Sequence, residues 1–350
     1  MLTGGTNQTS VSPVTLIRIT AYAFLLSTTA LAAPHALAEQ QFDLPVDCAM
    51  GTVCVVQNYL DEDPGPGALD FNCGQLTYQG HDGTDIRVPN VTYIAKGVPV
   101  IAAAAGTVRG VRDGIADINF QAPGAPPVAG VECGNGVLLD HGDGWVTQYC
   151  HLRKDSVIVK GGQVVAAGEQ LGMIGMSGAA EFPHVHLTVR HNDKAVDPFV
   201  GPEPVAACGT ARTPLWTAKA LAALAYNTTG PLNAGFTSAV PTSAEIMDGK
   251  HQSATLAPTA PSLVFWAEVY GIEAGDRERF KITQPDGMVF AESTGNPIDK
   301  HYATHFAFSG KRNAGVPFTT GVYKGEYVLE RMIAGRWVPV VTVTRTMTIR

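Results

Sequence analysis

Short apolar runs separated by glycine turns fill the chain from Thr77 to about Gly201. Val98–Ala103, Thr107–Val111, Gly136–Asp140, Val146–Cys150, Ser156–Val159 and His184–Arg190 are each of strand length and rich in β-branched or aromatic residues. No convincing amphipathic helix interrupts them, so this stretch predicts an antiparallel β domain. Alternation is clearest in the last run. Val185, Leu187 and Val189 fall on one face and His184 and His186 on the other, because successive side chains of a strand point to opposite sides. Strand-like runs return after Ser262: Leu263–Tyr270, Arg277–Thr283, Met288–Glu292, His301–Phe308, Gly321–Glu330 and Trp337–Ile349. Their even spacing fits an immunoglobulin-like β-sandwich over residues 262–350. The fold class expected is therefore mostly β, with two antiparallel domains.

The stretches between and before these domains read differently. Residues 39–76 form an irregular, Cys-rich arm, with Asp61 to Gly67 as a turn region. Residues 202–261 are rich in Thr, Ser, Ala and Pro and read as a linker with one short helix near Trp216 to Tyr226. Residues 1–38 read as an export signal: Arg18 is their one charge, Ile19 to Ala33 is apolar, and Ala36-Leu-Ala38 offers a small-residue cleavage site. The apolar run falls short of the ~20 residues that a membrane-spanning helix needs. The mature chain is therefore expected to be periplasmic or secreted and not membrane-spanning.

Charge narrows the partners. With 24 basic and 31 acidic residues the chain carries a net −7, which argues against nucleic acid, whose phosphates call for a basic surface. The six cysteines are Cys48, Cys54, Cys73, Cys133, Cys150 and Cys208. An even number behind an export signal suggests disulfides, and no close C-x-x-C pair suggests a Cys-rich metal site instead. Three of them lie in the arm, which is expected to be stapled onto the domain that follows. One pair follows from the strand pattern: Gly136 to His141 and Val146 to His151 read as a hairpin around Gly142-Asp-Gly144, bringing Cys133 towards Cys150. The other pairings stay open.

The candidate chemistry lies in short motifs that follow one another in order: Gly80-His-Asp-Gly-Thr-Asp85, Tyr149-Cys-His-Leu152 and Pro183-His-Val-His-Leu187. Each alone is weak, since an H-x-H is most often a surface or core pair and an H-x-x-x-D beside glycines is most often a turn. Together they supply two imidazoles and a carboxylate for a three-ligand zinc set with a fourth position open for water. Two further histidines remain to move protons. His141 reads as structural, and His191, His251, His301 and His305 have no ligand-like company.

These motifs resemble the lysostaphin-type zinc metallopeptidases, whose pattern is H-x-x-x-D, then a Y-x-H-L strand, then H-x-H-L. Gly134 to Gly144, Val157 to Gly172 and Asp197-Pro198 agree as well, so the resemblance spans roughly residues 75 to 200. It does not extend to the C-terminal β domain. Residues 77–201 would be the zinc peptidase domain. The resemblance implies Zn2+ held by His81, Asp85 and His186, with His151 and His184 as the catalytic histidines. It also implies an endopeptidase acting on peptidoglycan stem peptides or cross-bridges. D-Ala to diaminopimelate and glycine-bridge bonds are the rival targets, and the disulfides lean towards a periplasm and the former. Glu181-Phe182 departs from the small residues usual before Pro183. A latent or non-enzymatic regulator of other wall hydrolases is the alternative, but such members typically lose ligands, and all five positions stand here. The glycine hairpin around Gly162 to Gly172 resembles lipoyl carriers but lacks their lysine turn. A protein partner for the C-terminal domain is a further expectation.

Overall fold

The computed structural model describes residues 40–202, 208 and 212–350, and the expected signal segment lies outside the described residues. The arm supplies β1 (Val55–Asn58). The next region holds β2 (Thr84–Arg87), a short α1 (Thr92–Lys96), β3 (Pro99–Ile101), β4 (Gly106–Arg112), β5 (Asn135–Gly142) and β6 (Trp145–Leu152). It ends with β7 (Val164–Val165), β8 (Gln170–Met173), β9 (His184–His191) and β10 (Lys194–Ala195). An eight-stranded sheet runs β1-β2-β9-β6-β5-β4-β7, with β10 paired to β9, while β3 and β8 form a separate pair. Every pairing in both is antiparallel.

Register decides which face of this sheet becomes the site. Tyr149 of β6 lies opposite Leu187 of β9, and Cys150 opposite His186. Val185, Leu187, Val189 and Tyr149 are essentially fully buried in the core beneath, each large aliphatic contributing about 1.5–3 kcal/mol by leaving water. A one-residue slip would drive His184 and His186 into that core and lift the aliphatics out of it. The same burial that stabilises the fold therefore fixes the imidazoles on the opposite face.

Two stretches depart from the sequence expectation here. Ser156–Val159 is not a strand: Val157 N–H donates to the Asp113 carboxylate at 3.0 Å and Ser156 N–H to Arg153 O at 3.2 Å, so its amides are satisfied outside a ladder. The arm is not wholly irregular, since β1 pairs with β2 at the sheet edge. Its cysteines are held as Cys48–Cys54 and Cys73–Cys208, and Cys133–Cys150 joins the ends of the β5–β6 hairpin as the strand pattern implies.

The stretch expected as a linker does contain its helix, α2 (Ala218–Ala223). It also contains β11 (Gly230–Thr237), α3 (Ser243–Met247) and β12 (Thr255–Leu256). Leu215, Trp216, Ala220 and Leu224 belong to the core of the preceding domain. Next come β13 (Ser262–Ile272), β14 (Arg277–Thr283), β15 (Val289–Thr294), β16 (Tyr302–Arg312), β17 (Gly321–Ile333) and β18 (Arg336–Ile349). They form sheets β11-β13-β16 and β12-β18-β17-β14-β15. Phe236 and Phe265 of the first share one apolar core with Phe280, Tyr327 and Leu329 of the second, an arrangement consistent with a sandwich. All pairs are antiparallel except β12 with β18.

The sequence Gly-Pro-Leu-Asn-Ala-Gly-Phe-Thr of β11 carries no strand signal, because glycine weakens strands. Its glycines are there to be covered. Gly235 lies opposite Trp266 and Gly230 opposite Tyr270, and a Cβ on either would meet the aromatic ring within 3 Å.

Strand β13 is buried along its whole length. Leu263, Phe265, Ala267 and Val269 face the C-terminal core, whereas Tyr270 from the alternate row belongs to the core of the peptidase region. Val91 N–H also donates to Met247 O at 3.0 Å. The two β regions thus pack together along the β1–β2 side.

Candidate metal centre

His81 stands in the turn before β2, Asp85 within β2 and His186 within β9, where Asp85 and His186 are directly paired. The turn closes tightly over the histidine: a Cβ on Gly83 would lie 2.6 Å from His186 Nε2 and from Leu187 O. Glycine inside the H-x-x-x-D motif is therefore a requirement of close approach.

One donor atom from each of His81, Asp85 and His186 lies within 4.8 Å of the others. Asp85 Oδ2 is 3.2 Å from His81 Nε2, Asp85 Oδ1 is 2.9 Å from His186 Nδ1, and the two imidazole nitrogens are 3.1 Å apart. A tetrahedral ion with bonds of about 2.0–2.1 Å has donor separations of about 3.3 Å, so the two nitrogens, with one Asp85 oxygen close to each, lie at separations near those of such a shell. Outer contacts agree with ligand duty. His81 Nδ1 donates to Tyr59 O at 2.6 Å, which leaves Nε2 with its lone pair. His186 Nε2 bonds Asp82 Oδ1 at 3.2 Å and Thr188 Oγ1 at 3.0 Å, freeing Nδ1. Asn58 Nδ2 donates to Asp85 Oδ2 at 2.9 Å. Such partners orient ligands and raise their basicity. The donor set therefore fits a divalent metal.

Electrostatics point the same way. Burial would raise the Asp85 carboxyl, but His81, His184 and His186 hold it well below the usual carboxylate range. Burial disfavours a charged His186, yet Asp82 and Asp85 carry it up to about 9. A buried cluster that draws a positive charge so strongly is suited to a dication.

His151 and His184 face this cluster with ring centroids 4.6 Å apart. His151, the residue before the last of β6, has a φ of 62° and donates its backbone N–H to Cys133 O at 2.8 Å, a left-handed φ uncommon outside glycine. Its Nδ1 bonds Ser177 O at 2.8 Å, and His184 Nδ1 bonds Phe182 O at 2.8 Å. Carbonyls only accept, so each Nδ1 carries the proton and each Nε2 is the free base. His184 Nε2 lies 3.5 Å from Asp85 Oδ1. Burial, reinforced by His184 and His186, pushes the His151 imidazole well below its ordinary value, and burial lowers His184 too. Both are neutral at physiological pH.

A groove of about 340 Å³ opens beside them, lined by Tyr78, Asp82, Glu132, Gln148, His151 and Arg190 among others. A larger cavity of about 480 Å³ near Cys73 and His301 lies away from the cluster. All five residues expected from the sequence are brought together. The other histidines are elsewhere: His141 is held by Ala105 O and Thr147 Oγ1, His191 stacks on Trp145, and His251 and His305 pair with Glu245 and Glu278.

Sequence reasoning missed Asn58, Tyr59, Asp82, Ser177 and Thr188. Asp82 stands next to His81, and Thr188 continues the alternation of His184 and His186, so both were within reach. Asn58 and Tyr59 carry no local signal.

Residues 79–198 match the family described as Peptidase family M23. The cell division protein DipM of Caulobacter vibrioides is 38% identical over 128 residues, 35% of this chain and 17% of that protein. The peptidoglycan DD-endopeptidase ShyB of Vibrio cholerae is 30% identical over 126 residues, 36% of this chain and 24% of that protein. The chain thus spans roughly a fifth of the length of these curated relatives. A zinc-containing peptidase from Vibrio cholerae is similar at 24% identity and a TM-score of 0.32, over 47% of this chain and 41% of that one. Residues 79–198, with the His-Asp-His cluster at their centre, form a domain of peptidase family M23, the lysostaphin-type metallopeptidases.

Proposed function

We propose that this chain is an exported zinc metallo-endopeptidase that hydrolyses peptide cross-links of peptidoglycan. One observation carries the reading: donors of His81, Asp85 and His186 cluster within 4.8 Å of one another, and the rings of His151 and His184, each with its Nδ1 held by a carbonyl, lie beside them. His81 Nε2, Asp85 and His186 Nδ1 would hold zinc. Bound there, zinc supplies Lewis acidity, lowering the pKa of water towards ~7 and polarising a carbonyl.

The remaining steps belong to the chain itself. The groove beside Tyr78 and Gln148 receives the peptide, and the buried surroundings of His151 and His184 exclude bulk water. The Nε2 of one histidine takes the proton of the attacking water as its oxygen forms a bond to the scissile carbon. The other histidine steadies the charge that develops on the carbonyl oxygen once its Nε2 has taken up a proton from solvent, its Nδ1–H already being held by a carbonyl. As the C–N bond breaks, the abstracted proton passes to the departing amine. The Nδ1 bonds to the Ser177 and Phe182 carbonyls leave the Nε2 of each ring free to take up a proton.

Substrate class follows from the relatives ShyB and ShyA, both peptidoglycan DD-endopeptidases, which favour a D-Ala to diaminopimelate bond over a glycine bridge. The disulfides Cys48–Cys54, Cys73–Cys208 and Cys133–Cys150 support an oxidising compartment such as the periplasm. Purified cross-linked muropeptide dimers should be cleaved by the zinc-loaded protein, resist it after chelation, and be cleaved again when zinc is restored. Equal cleavage with and without chelator would remove zinc from the mechanism.

A further inference from the structure

The outer face of the eight-stranded sheet does not end at the metal centre. Register lays one row of residues across it: Asp85 of β2 lies opposite His186 of β9, His186 opposite Cys150 of β6, and Gly136 of β5 opposite Arg112 of β4. Between the Asn135–Leu152 and Val137–Tyr149 pairs the ladder sets one residue of β5 against two of β6, so Gly136 faces both Cys150 and His151. The next row runs Thr188, Gln148, Leu138 and Gly110. The groove follows these rows. Cys133 and Gln148 line both the groove beside His151 and a second hollow of about 170 Å³, so the two adjoin. Gly110, Arg112, Gly136 and Leu138 also line this second hollow.

Its two glycines differ in kind. A Cβ on Gly136 would meet Tyr149 O at 2.6 Å and Cys133 Sγ at 2.9 Å, so the fold requires glycine there. A Cβ on Gly110 would meet nothing within 4 Å, and its φ lies outside the left-handed region. What Gly110 leaves is open space on the groove floor. Arg112 stands at the far end of that space. Among the described residues, the arginines paired with carboxylates are Arg190, Arg277, Arg279 and Arg331. Arg112 is exposed, and its side chain makes one hydrogen bond there, from Nη1 to Gly134 O at 3.5 Å. The acids next to it in sequence and on the groove rim are held by backbone amides: Asp113 by Gly114, Asp155 and Val157, and Glu132 by Gly130. A guanidinium left with free donors beside an open hollow suits a carboxylate, which it can hold through two parallel N–H groups.

We infer that the hollow over β4 and β5 is a distal subsite of the groove, in which Arg112 binds the free side-chain carboxylate of a diaminopimelate on the acyl side of the scissile bond. Diaminopimelate has two carboxyls, and a stem peptide that uses one in its backbone keeps the other free. Three strand spacings separate β9 from β4, about 14 Å at ~4.8 Å each. That span is within the combined reach of one extended residue, a diaminopimelate side chain and the arginine itself. The kinetic consequence rests on the peptidase reading given above, whereas the binding of a stem peptide does not.

The test uses the full zinc-loaded chain, its variants Arg112→Gln and Gly110→Leu, and two muropeptide dimers. One dimer carries the free carboxylate on its acyl-side diaminopimelate, and in the other that group is a carboxamide. Arg112→Gln should raise KM for the carboxylate dimer about tenfold, the loss of one charged hydrogen bond. It should leave kcat nearly unchanged, as removal of uniform binding does, and should barely alter KM for the carboxamide dimer. Gly110→Leu should melt like the wild type and raise KM for both dimers, because its side chain fills the hollow. An Arg112→Gln effect that is equal for the two dimers, or absent from both, would overturn the inference. A stem tetrapeptide ending in D-Ala, titrated calorimetrically, should bind Arg112→Gln about tenfold more weakly than the wild type. If the wild-type chain cleaves no dimer, the peptidase reading fails and this titration decides the subsite: binding that depends on Arg112 upholds it, and binding that does not, or no binding at all, overturns it.

Discussion

At the residue scale the proposed mechanism separates holding a metal from moving a proton. His81 and His186 point free nitrogens at Asp85, so His81→Ala and His186→Ala should each lose both zinc and hydrolysis. His151→Ala leaves the three donors intact, so it should retain one zinc by elemental analysis while turnover falls by about 10²–10⁴. Full zinc occupancy in His186→Ala would remove it from the ligand set. Asp82 acts one step out, accepting from His186 Nε2 and pairing with Arg190 at 3.0 Å. Asp82→Asn should weaken zinc binding by about 10–100-fold in a competitive chelator titration, and unaltered affinity would deny it that role. The five central residues were legible in the sequence because motif order and strand alternation carry them. Asn58 and Tyr59 were not, because an arm some twenty residues upstream reaches the site only through the β1–β2 pairing.

At the element scale, the β5–β6 hairpin and its Cys133–Cys150 bridge set the height of His151, since Cys133 O accepts the His151 amide. The bridge closes a loop with a sequence separation of 17, for which chain entropy gives about 3 kcal/mol. Cys133→Ser with Cys150→Ser should lower the unfolding free energy in urea by about 2–4 kcal/mol, and should reduce turnover more than zinc content. Stability within error of the wild type would mean that the bridge does not restrain the unfolded chain. This pairing was readable because a hairpin brings its strand ends together. Other elements were hidden. Val157-Ile-Val159 has strand composition, yet Ile158 is 64% exposed and the neighbouring amides go to Asp113 and Arg153. In the opposite direction, β11 has loop composition and becomes a strand only because Trp266 and Tyr270 cover its glycines.

At the scale of the whole molecule, the expected division into peptidase, linker and C-terminal domain gives way to closer packing. Leu215, Trp216 and Leu224 fill the core of the domain that precedes them, and Tyr270 enters it from β13. Composition suggested a linker because Thr, Ser, Ala and Pro dominate locally; tertiary contacts decided otherwise. Asp197 lies at the end of the peptidase region, 3% exposed, with Phe199 N–H on one oxygen and no partner for the other among the described residues. Burial above all pushes its carboxyl up to about 8, with the Phe199 amide opposing, against about 3.9 in an unfolded chain. The folded state therefore binds this proton more tightly. The stability it contributes is fully present below about pH 4 and is lost as pH rises through about 8. Asp197→Asn should melt well above the wild type at pH 9, with the difference shrinking towards pH 5. Parallel melting curves across that range would show that Asp197 is ionised in the fold.

In the function proposed above, a centre of two histidines facing three ligands cuts wall peptides. Its most direct test is a digest of purified peptidoglycan sacculi by the zinc-loaded chain, with His151→Ala alongside, read by mass spectrometry of the muropeptides. The account predicts loss of cross-linked dimers and a matching gain of monomers with the wild type, and an unchanged profile with His151→Ala. Identical profiles from the two proteins, whether both cleave or neither does, would contradict it.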